Sequence, residues 1–583
     1  MRKQFDLIIA NGTIVDGTGF PRFAADIGIR DGVIARIGWL RDAPADRVID
    51  AAGLIVGPGF VDTHTHFDGQ IFWDPTCSNA GENGITTVAM GNCGFGFAPC
   101  KPQDRDRAML MMQTTEQIPA PQLRSGLPWD WETFPELIAS LERTPKAVNA
   151  MMFMPLNPLM IYVMGIEAAK TRRPTAAEIA RMQDLILEAL DAGACGLSVS
   201  SMGTVNNHVD IDGSPMPTDV MNIDDLCKIV AIFRDRGEGL IQVISQIGPV
   251  GESEISIRLG QASGRPILHN VFSTSDYTPD LHRKSIAWLD KVLARDIQMY
   301  AATVVNRSWN EVDFWNSPGC SMDALAAHRE LTVSQTLEAK QALAQSDAYR
   351  TRFRDTYDPV MFEATAGGLE RYVVVTLGAN APNNDRYIGR SLGDVAQDEK
   401  KSVVDVYLDL ALESRFKMVL RTPAVAARDP IKTVELISHT HVLAGASDGG
   451  AHTKIWSGGC WTTDLMMWLV KENPLMTLEQ MHYGLSYKPA RVLGLRDRGA
   501  LLEGMAADIL VYSLDELFFD RSKYEVVHDM PNNDWRRRAR AGGYRWIVVN
   551  GEVTFSKDAR TNATPGRYLH VVRKRDAKPL AAE

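Results

Sequence analysis

The stretch Gly57-Pro58-Gly59-Phe60-Val61-Asp62-Thr63-His64-Thr65-His66 reads as the end of a β-strand, Leu54–His66, in which an apolar run closes in two histidines. Residues i and i+2 of a strand face the same way, so His64 and His66 point together. Two imidazoles on one face make half of a metal site.

Seven further apolar runs follow that strand: Ile85–Asn92, Ala147–Pro155, Cys195–Ser200, Gly239–Ser245, Pro266–Phe272, Ile297–Val305 and Val442–Asp448. Helical patterns separate many of them. Ala177–Leu190 carries Ile179, Met182, Leu185, Ile186 and Ala189 along one stripe, and Asn222–Arg234 and Leu281–Leu293 read similarly. Alternating βα units predict a parallel sheet, and eight of them predict an α/β fold of the (β/α)₈ TIM-barrel type.

The strands outside this core lie at the two ends of the chain. Asp6–Asp16, Ala25–Gly38 and Val48–Val56 are β-branched runs punctuated by Asn-Gly and Asp-Gly turns, and the same texture returns at Leu501–Tyr512 and Tyr544–Phe555. Together they predict one small β-sandwich built from both termini. The expected organisation is sandwich over 1–57, barrel over 58–498, sandwich again over 499–560, and a charged tail over 561–583. The barrel carries an insertion at about 306–440, between its last two strands. An insertion after a strand's C-terminal end sits over the face where barrels keep their sites, so this one reads as a lid or substrate-selecting element, or else as a decorative subdomain or oligomer contact.

Other residues with metal or proton chemistry fall at neighbouring strand ends. Cys93, in Gly91-Asn92-Cys93-Gly94, follows the second strand at a glycine-flanked turn, where a thiolate can ligate a metal. Asp448, in Ser447-Asp448-Gly449-Gly450-Ala451-His452, ends the eighth strand at the barrel mouth, where a carboxylate can ligate a metal and take a proton from water. His452 in the loop beyond is a candidate for substrate contact. His269, near the end of the sixth strand, is the remaining candidate metal ligand, and His208, after the fourth, a substrate-side one. His439 and His441 repeat the His-x-His spacing but precede their strand, about 20 Å from Asp448 at ~3.3 Å per residue, and read as structural.

The composition excludes several classes. With 62 basic and 72 acidic residues among 583, the net charge is −10, and no basic face suggests nucleic acid. No apolar run approaches the ~18 residues of a membrane span, and the opening Met-Arg-Lys-Gln-Phe-Asp leads into only four apolar residues, too few for a signal peptide. Seven scattered cysteines form no disulfide framework, so a cytoplasmic address is expected. The partner is then a small-molecule substrate, with neither nucleic acid nor membrane, and a homo-oligomer is possible.

The chain resembles the amidohydrolase superfamily, in its D-aminoacylase or N-acyl-D-amino-acid deacylase branch. The resemblance rests on Gly57–Asp68 (GPGFVDTHTHFD), Gly84–Pro99 (GITTVAMGNCGFGFAP), Gly389–Ala396 (GRSLGDVA), Gly445–His452 (GASDGGAH) and Ser486–Tyr512. It implies a zinc-dependent barrel in which His64, His66, Cys93 and His269 hold metal, with Asp448 as a further ligand and the catalytic aspartate. Where relatives place a zinc-binding histidine on the fifth strand, this chain offers Gln242, so one zinc is expected and a second is left open. Val271 replaces a lysine that faces the substrate carboxylate in relatives, and the nearest cation after Asp448 is Lys454. Gln242, Lys454, His452, His208 and Tyr300 (placed at the end of the seventh strand) are the expected substrate contacts. The implied reaction is zinc-dependent hydrolysis of an amide bond in an N-acyl amino-acid-like substrate, with Asp448 as general base and acid. Hydrolysis of a cyclic amide, or a catalytically silent scaffold of the same fold, are the alternatives.

Overall fold

In the computed structural model, residues 4–571 are described, apart from 205, 207, 247, 276–277, 306, 316–321, 323–324, 363–366, 379–383 and 425–427. Cys320, Ala381-Pro382-Asn383 and the tail beyond Val571 lie outside the described residues.

Eight parallel strands form the barrel: β1 Phe60–Asp62, β2 Ile85–Met90, β3 Asn149–Met152 continued by Met154–Pro155, β4 Gly196–Ser201, β5 Leu240–Ser245, β6 Ile267–Phe272, β7 Met299–Thr303 and β8 Val442–Ala444. The ring closes between its ends, where Thr65 bridges Gly449 in parallel and His66 N–H donates to Gly449 O at 2.7 Å. Inward-facing Val61, Ala89, Met151, Phe153, Cys195, Leu240, Leu268, Ala302 and Leu443 pack as the barrel's own core. The outward faces pack against the helices, as period-two alternation requires.

The first predicted strand, Leu54–His66, is two strands. Ile55–Pro58 belongs to the terminal sheet and Phe60–Asp62 to the barrel. Gly59 is the joint, because a Cβ there would stand 2.2 Å from Thr86 Oγ1. Both ends of the chain do share one nine-stranded sheet, in which Ile55–Pro58 lies between Phe5–Ile14 and Ile509–Tyr512. Its buried face is aliphatic, with Ile27, Ile29, Ile34, Ile509 and Val548 among its members.

Two features differ from the sequence reading or extend it. The hairpin Phe518–Met530 with Asp534–Gly542 stands outside the nine-stranded sheet. Its run of arginines hid it, yet Arg536 is buried against Asp529 and Arg537 against Glu311, so charge pairing replaces an apolar face. The segment after β7 has a hydrophobic core of its own around Phe353, Leu392, Leu408 and Phe416, with a small sheet of Glu311–Val312, Val419–Arg421 and Val373–Thr376. It touches the barrel loops where Arg329 Nη2 donates to Asn206 O at 2.8 Å and Glu311 N–H to Ile455 O at 2.9 Å. Among the described residues, no helix is long and apolar enough to cross a membrane.

Candidate metal centre

β1 ends at Asp62, and the chain then bends at Thr63 and His64 across the C-terminal mouth of the barrel. Asp62 anchors them: its carboxylate accepts from His64 N–H at 3.2 Å and from the Trp461 indole at 2.9 Å. Burial raises that carboxyl to about 6, against the opposing hydrogen bonds. His64 and His66 then project side by side, their rings edge to face at 5.4 Å.

Cys93 reaches the same point from β2. Its backbone is left-handed (φ 56°), its N–H donates to Gln242 Oε1 at 2.8 Å, and its Sγ lies 3.3 Å from His64 Nε2. Gly94 lets the turn press on β4, where a Cβ would stand 2.7 Å from Ser200 N. The donor atoms of His64, His66 and Cys93 all lie within 4.8 Å of one another. Burial, reinforced by Glu116, Asp448 and Asp68, pushes the Cys93 thiol well above its ordinary value. A bound cation reverses that balance and takes the thiolate.

Asp448 enters from beyond β8, which ends at Ala444, four residues earlier than the predicted strand. Its Oδ1 lies 3.0 Å from His64 Nε2 and 3.7 Å from His66 Nε2. Its side chain is 27% exposed, whereas those of the two histidines are at most 3% exposed, so solvent meets the cluster at this carboxylate. Burial favours the acid form of Asp448, but the His64 hydrogen bond and the three neighbouring histidines override it and hold the carboxyl below the usual range. Asp448 and His452 are also left-handed (φ 48° and 54°), a backbone that non-glycine residues keep mainly where the surroundings impose it.

The substrate-side candidates divide. His452 stands at the cluster: its Nδ1 lies 3.0 Å from Gln117 Oε1 and its Nε2 3.9 Å from Glu116 Oε2. His208 meets Phe95 edge to face at 5.8 Å; its Nδ1 is buried without a partner, and burial with the His452 charge lowers its pKa to about 4. Gln242 faces inward and holds Cys93. Lys454 is instead committed to the Asp534 carboxylate and lies 4.1 Å from the centre of the Trp535 ring. Tyr300 is the second residue of β7, not its last, and so belongs to the opposite end of the barrel, stacked on His441 at 5.0 Å. His439, the partner of His441 in the second His-x-His, pairs with Asp290 at 3.1 Å.

The structure does not bring His269 to the cluster. On β6 the inward residues are Leu268 and Asn270, so His269 faces the helices. Its Nε2 lies 2.9 Å from Gly251 O and its Nδ1 3.0 Å from Ser256 Oγ, with its ring against Phe272 and Trp288. A one-residue difference in register exchanges the two faces of a strand. Asn270 takes the inward place, with Nδ2 2.6 Å from His64 Nδ1.

Two carboxylates at the site were not anticipated. Asp68 lies in the turn just after His66, close enough for its charge to bear on Cys93 and Glu116; burial raises it to about 7. Glu116 caps the helix Arg105–Thr115, is fully buried, and places Oε2 3.4 Å from His66 Nε2. No spacing in Thr115-Glu116-Gln117 marks it.

Residues 47–209 match the amidohydrolase family. The chain is 26% identical over 602 residues to the N-acyl-D-glutamate deacylase of Alcaligenes xylosoxydans xylosoxydans, covering 100% of this chain and 99% of that protein. It is 24% identical over 581 residues to the D-aminoacylase of the same organism, covering 97% and 98%. The crystal structure of the Bordetella bronchiseptica N-acyl-D-glutamate deacylase, complexed with zinc and a phosphonate inhibitor, superposes with a TM-score of 0.63 at 22% identity, over 97% of this chain and 99% of that one. The matched segment and the shared fold liken the chain to the amidohydrolase family. Within that family its resemblance runs to the D-aminoacylases and N-acyl-D-amino-acid deacylases.

Proposed function

We propose that the protein is a metal-dependent hydrolase that cleaves the amide bond of an N-acyl amino-acid-like small molecule. One observation carries this reading: the donors of His64, His66 and Cys93 converge at the barrel mouth, with Asp448 Oδ1 3.0 Å from His64 Nε2 on the solvent side. The relatives' names, and the zinc and phosphonate of the Bordetella bronchiseptica structure, support it.

The residues present fit zinc. Two imidazoles and a thiol are its preferred donors, and both ring nitrogens of His66 are buried without a hydrogen-bond partner. Zinc bound there by His64, His66 and Cys93 supplies an acidified water and a positive charge toward the substrate carbonyl. The chain's own residues do the rest. Asp448, the exposed member of the cluster, accepts the proton of the attacking water and returns it to the leaving nitrogen. His208 and His452 face the substrate from the adjoining loops, and Gln242 holds the Cys93 turn in place. The six described cysteines are free, in keeping with a reducing cytoplasmic address.

The test pairs metal content with turnover on a panel of N-acyl-D-amino acids. Asp448→Asn should fold normally and lower turnover by about 10²–10⁴-fold, the usual weight of a positioned proton carrier. Wild-type turnover in the variant refutes the role of Asp448. A wild type that neither holds nor takes up zinc refutes the hydrolase reading.

A further inference from the structure

Glu116 is not explained by the chemistry above. It enters the site from outside the strand ends, at the C-terminus of the helix Arg105–Thr115, with its side chain about 2% exposed. A buried carboxylate costs several kcal/mol unless something pairs it. Its Oε1 has no hydrogen-bond partner, and burial, reinforced by the neighbouring carboxylates Asp448 and Asp68, raises its carboxyl well above the usual range, so without a cation it stays protonated. The groups it does face are histidine nitrogens: His66 Nε2 at 3.4 Å and His452 Nε2 at 3.9 Å from Oε2.

Six donor atoms therefore form one arc across the barrel mouth. Cys93 Sγ, His64 Nε2, Asp448 Oδ1, His66 Nε2, Glu116 Oε2 and His452 Nε2 follow one another at 3.3, 3.0, 3.7, 3.4 and 3.9 Å. Ligands about 2.1 Å from one tetrahedral ion stand ~3.4 Å apart, so the Glu116–His66 spacing is that of two ligands sharing an ion. Both nitrogens of His66 and one oxygen of Glu116 lack hydrogen-bond partners, so neither side chain is held away from a cation by another bond. His452 is turned the same way: its Nδ1 faces the Gln117 amide oxygen, and its backbone N–H donates to Glu116 O at 2.8 Å.

We propose that Glu116 is a ligand of the metal centre, donating through Oε2 on the His66 side and extending the site toward His452. This rests on the hydrolase reading only for the presence of a metal. It adds an anionic donor beside His66, whereas the neutral amides of Gln242 and Asn270 stand beside Cys93 and His64.

The experiment loads metal-free wild-type, Glu116→Gln and Glu116→Asp protein with zinc and with cobalt(II). It reads affinity by chelator competition and coordination by the cobalt absorption bands. Glu116→Gln should bind both metals more weakly by more than the 10–100-fold that follows loss of an outer-shell partner, with shifted cobalt bands. Glu116→Asp should recover part of that affinity. If the Gln variant fails to fold, the Asp variant carries the test: unchanged affinity and unchanged bands overturn the proposal. A wild type that binds both metals while Glu116→Gln binds them equally overturns this inference alone. A wild type that binds neither overturns it together with the hydrolase reading.

Discussion

His269 offers the sharpest test of the strand register. As a metal ligand, its loss would strip the metal. In the structure it faces the helices, so its loss should cost stability and leave the metal in place. His269→Ala removes the partners of Gly251 O and Ser256 Oγ, each worth roughly 1–3 kcal/mol when a buried group is left unpaired, and opens a cavity between Phe272 and Trp288; a total of about 3–5 kcal/mol follows. The pH dependence has a definite sign. Burial lowers the imidazole from 6.5 to about 4, so between those values the unfolded chain binds a proton that the folded chain does not. Stability attributable to His269 is therefore complete above 6.5 and falls away as pH drops toward 4, by about 2 kcal/mol at pH 5 and about 3 kcal/mol below pH 4. Urea unfolding of wild type and His269→Gln at pH 7.5 and 5.0 measures the difference: wild type should lose about 2 kcal/mol more than the variant on acidification. Elemental analysis should find the same zinc in both. Zinc lost with His269→Gln, or equal acid sensitivity in the two proteins, refutes the outward placement.

Two further predictions concern the residues around the metal. Asn270→Leu should weaken zinc binding by about 10–100-fold by chelator competition while Asn270→Asp retains it, because the Asn270 amide turned half a revolution presents Oδ1 to a His64 Nδ1–H and leaves Nε2 free to ligate; equal affinities in all three proteins dismiss Asn270 as a positioning residue. Gly94→Ala should cost about 2–4 kcal/mol in urea unfolding, since φ is +72° and the new Cβ meets Ser200 N at 2.7 Å; a cost under about 0.5 kcal/mol contradicts the close approach of the Cys93 turn to β4.

Much of this was legible in the chain. Asp62-Thr63-His64-Thr65-His66 and Gly91-Asn92-Cys93-Gly94 combine a local conformation with a specific chemistry, and both converge at the mouth. Strand number could be read because eight apolar runs are each long enough to see. What could not be read was register. In Ile267-Leu268-His269-Asn270-Val271-Phe272 every residue suits a buried strand, so nothing in the pattern says which face looks inward, and the histidine was given the place that Asn270 occupies. The hairpin Phe518–Gly542 was missed for the opposite reason: its arginines look solvated until Asp529 and Glu311 are brought to them by the fold. Glu116 depends wholly on where one helix ends, which no spacing along the chain reports.

The sheet shared by the two ends has a consequence for biosynthesis. Ile55–Pro58 cannot complete its pairing until Ile509–Tyr512 has been made, some 450 residues later. At ~5–20 residues per second, that strand edge waits about 20–90 seconds on the ribosome with its partner not yet synthesised. The barrel's first strand begins two residues after it, so the earliest part of the catalytic scaffold is tethered to the element that matures last. Nascent chains stalled before residue 509 would carry an open aliphatic edge, the kind of surface that chaperones hold.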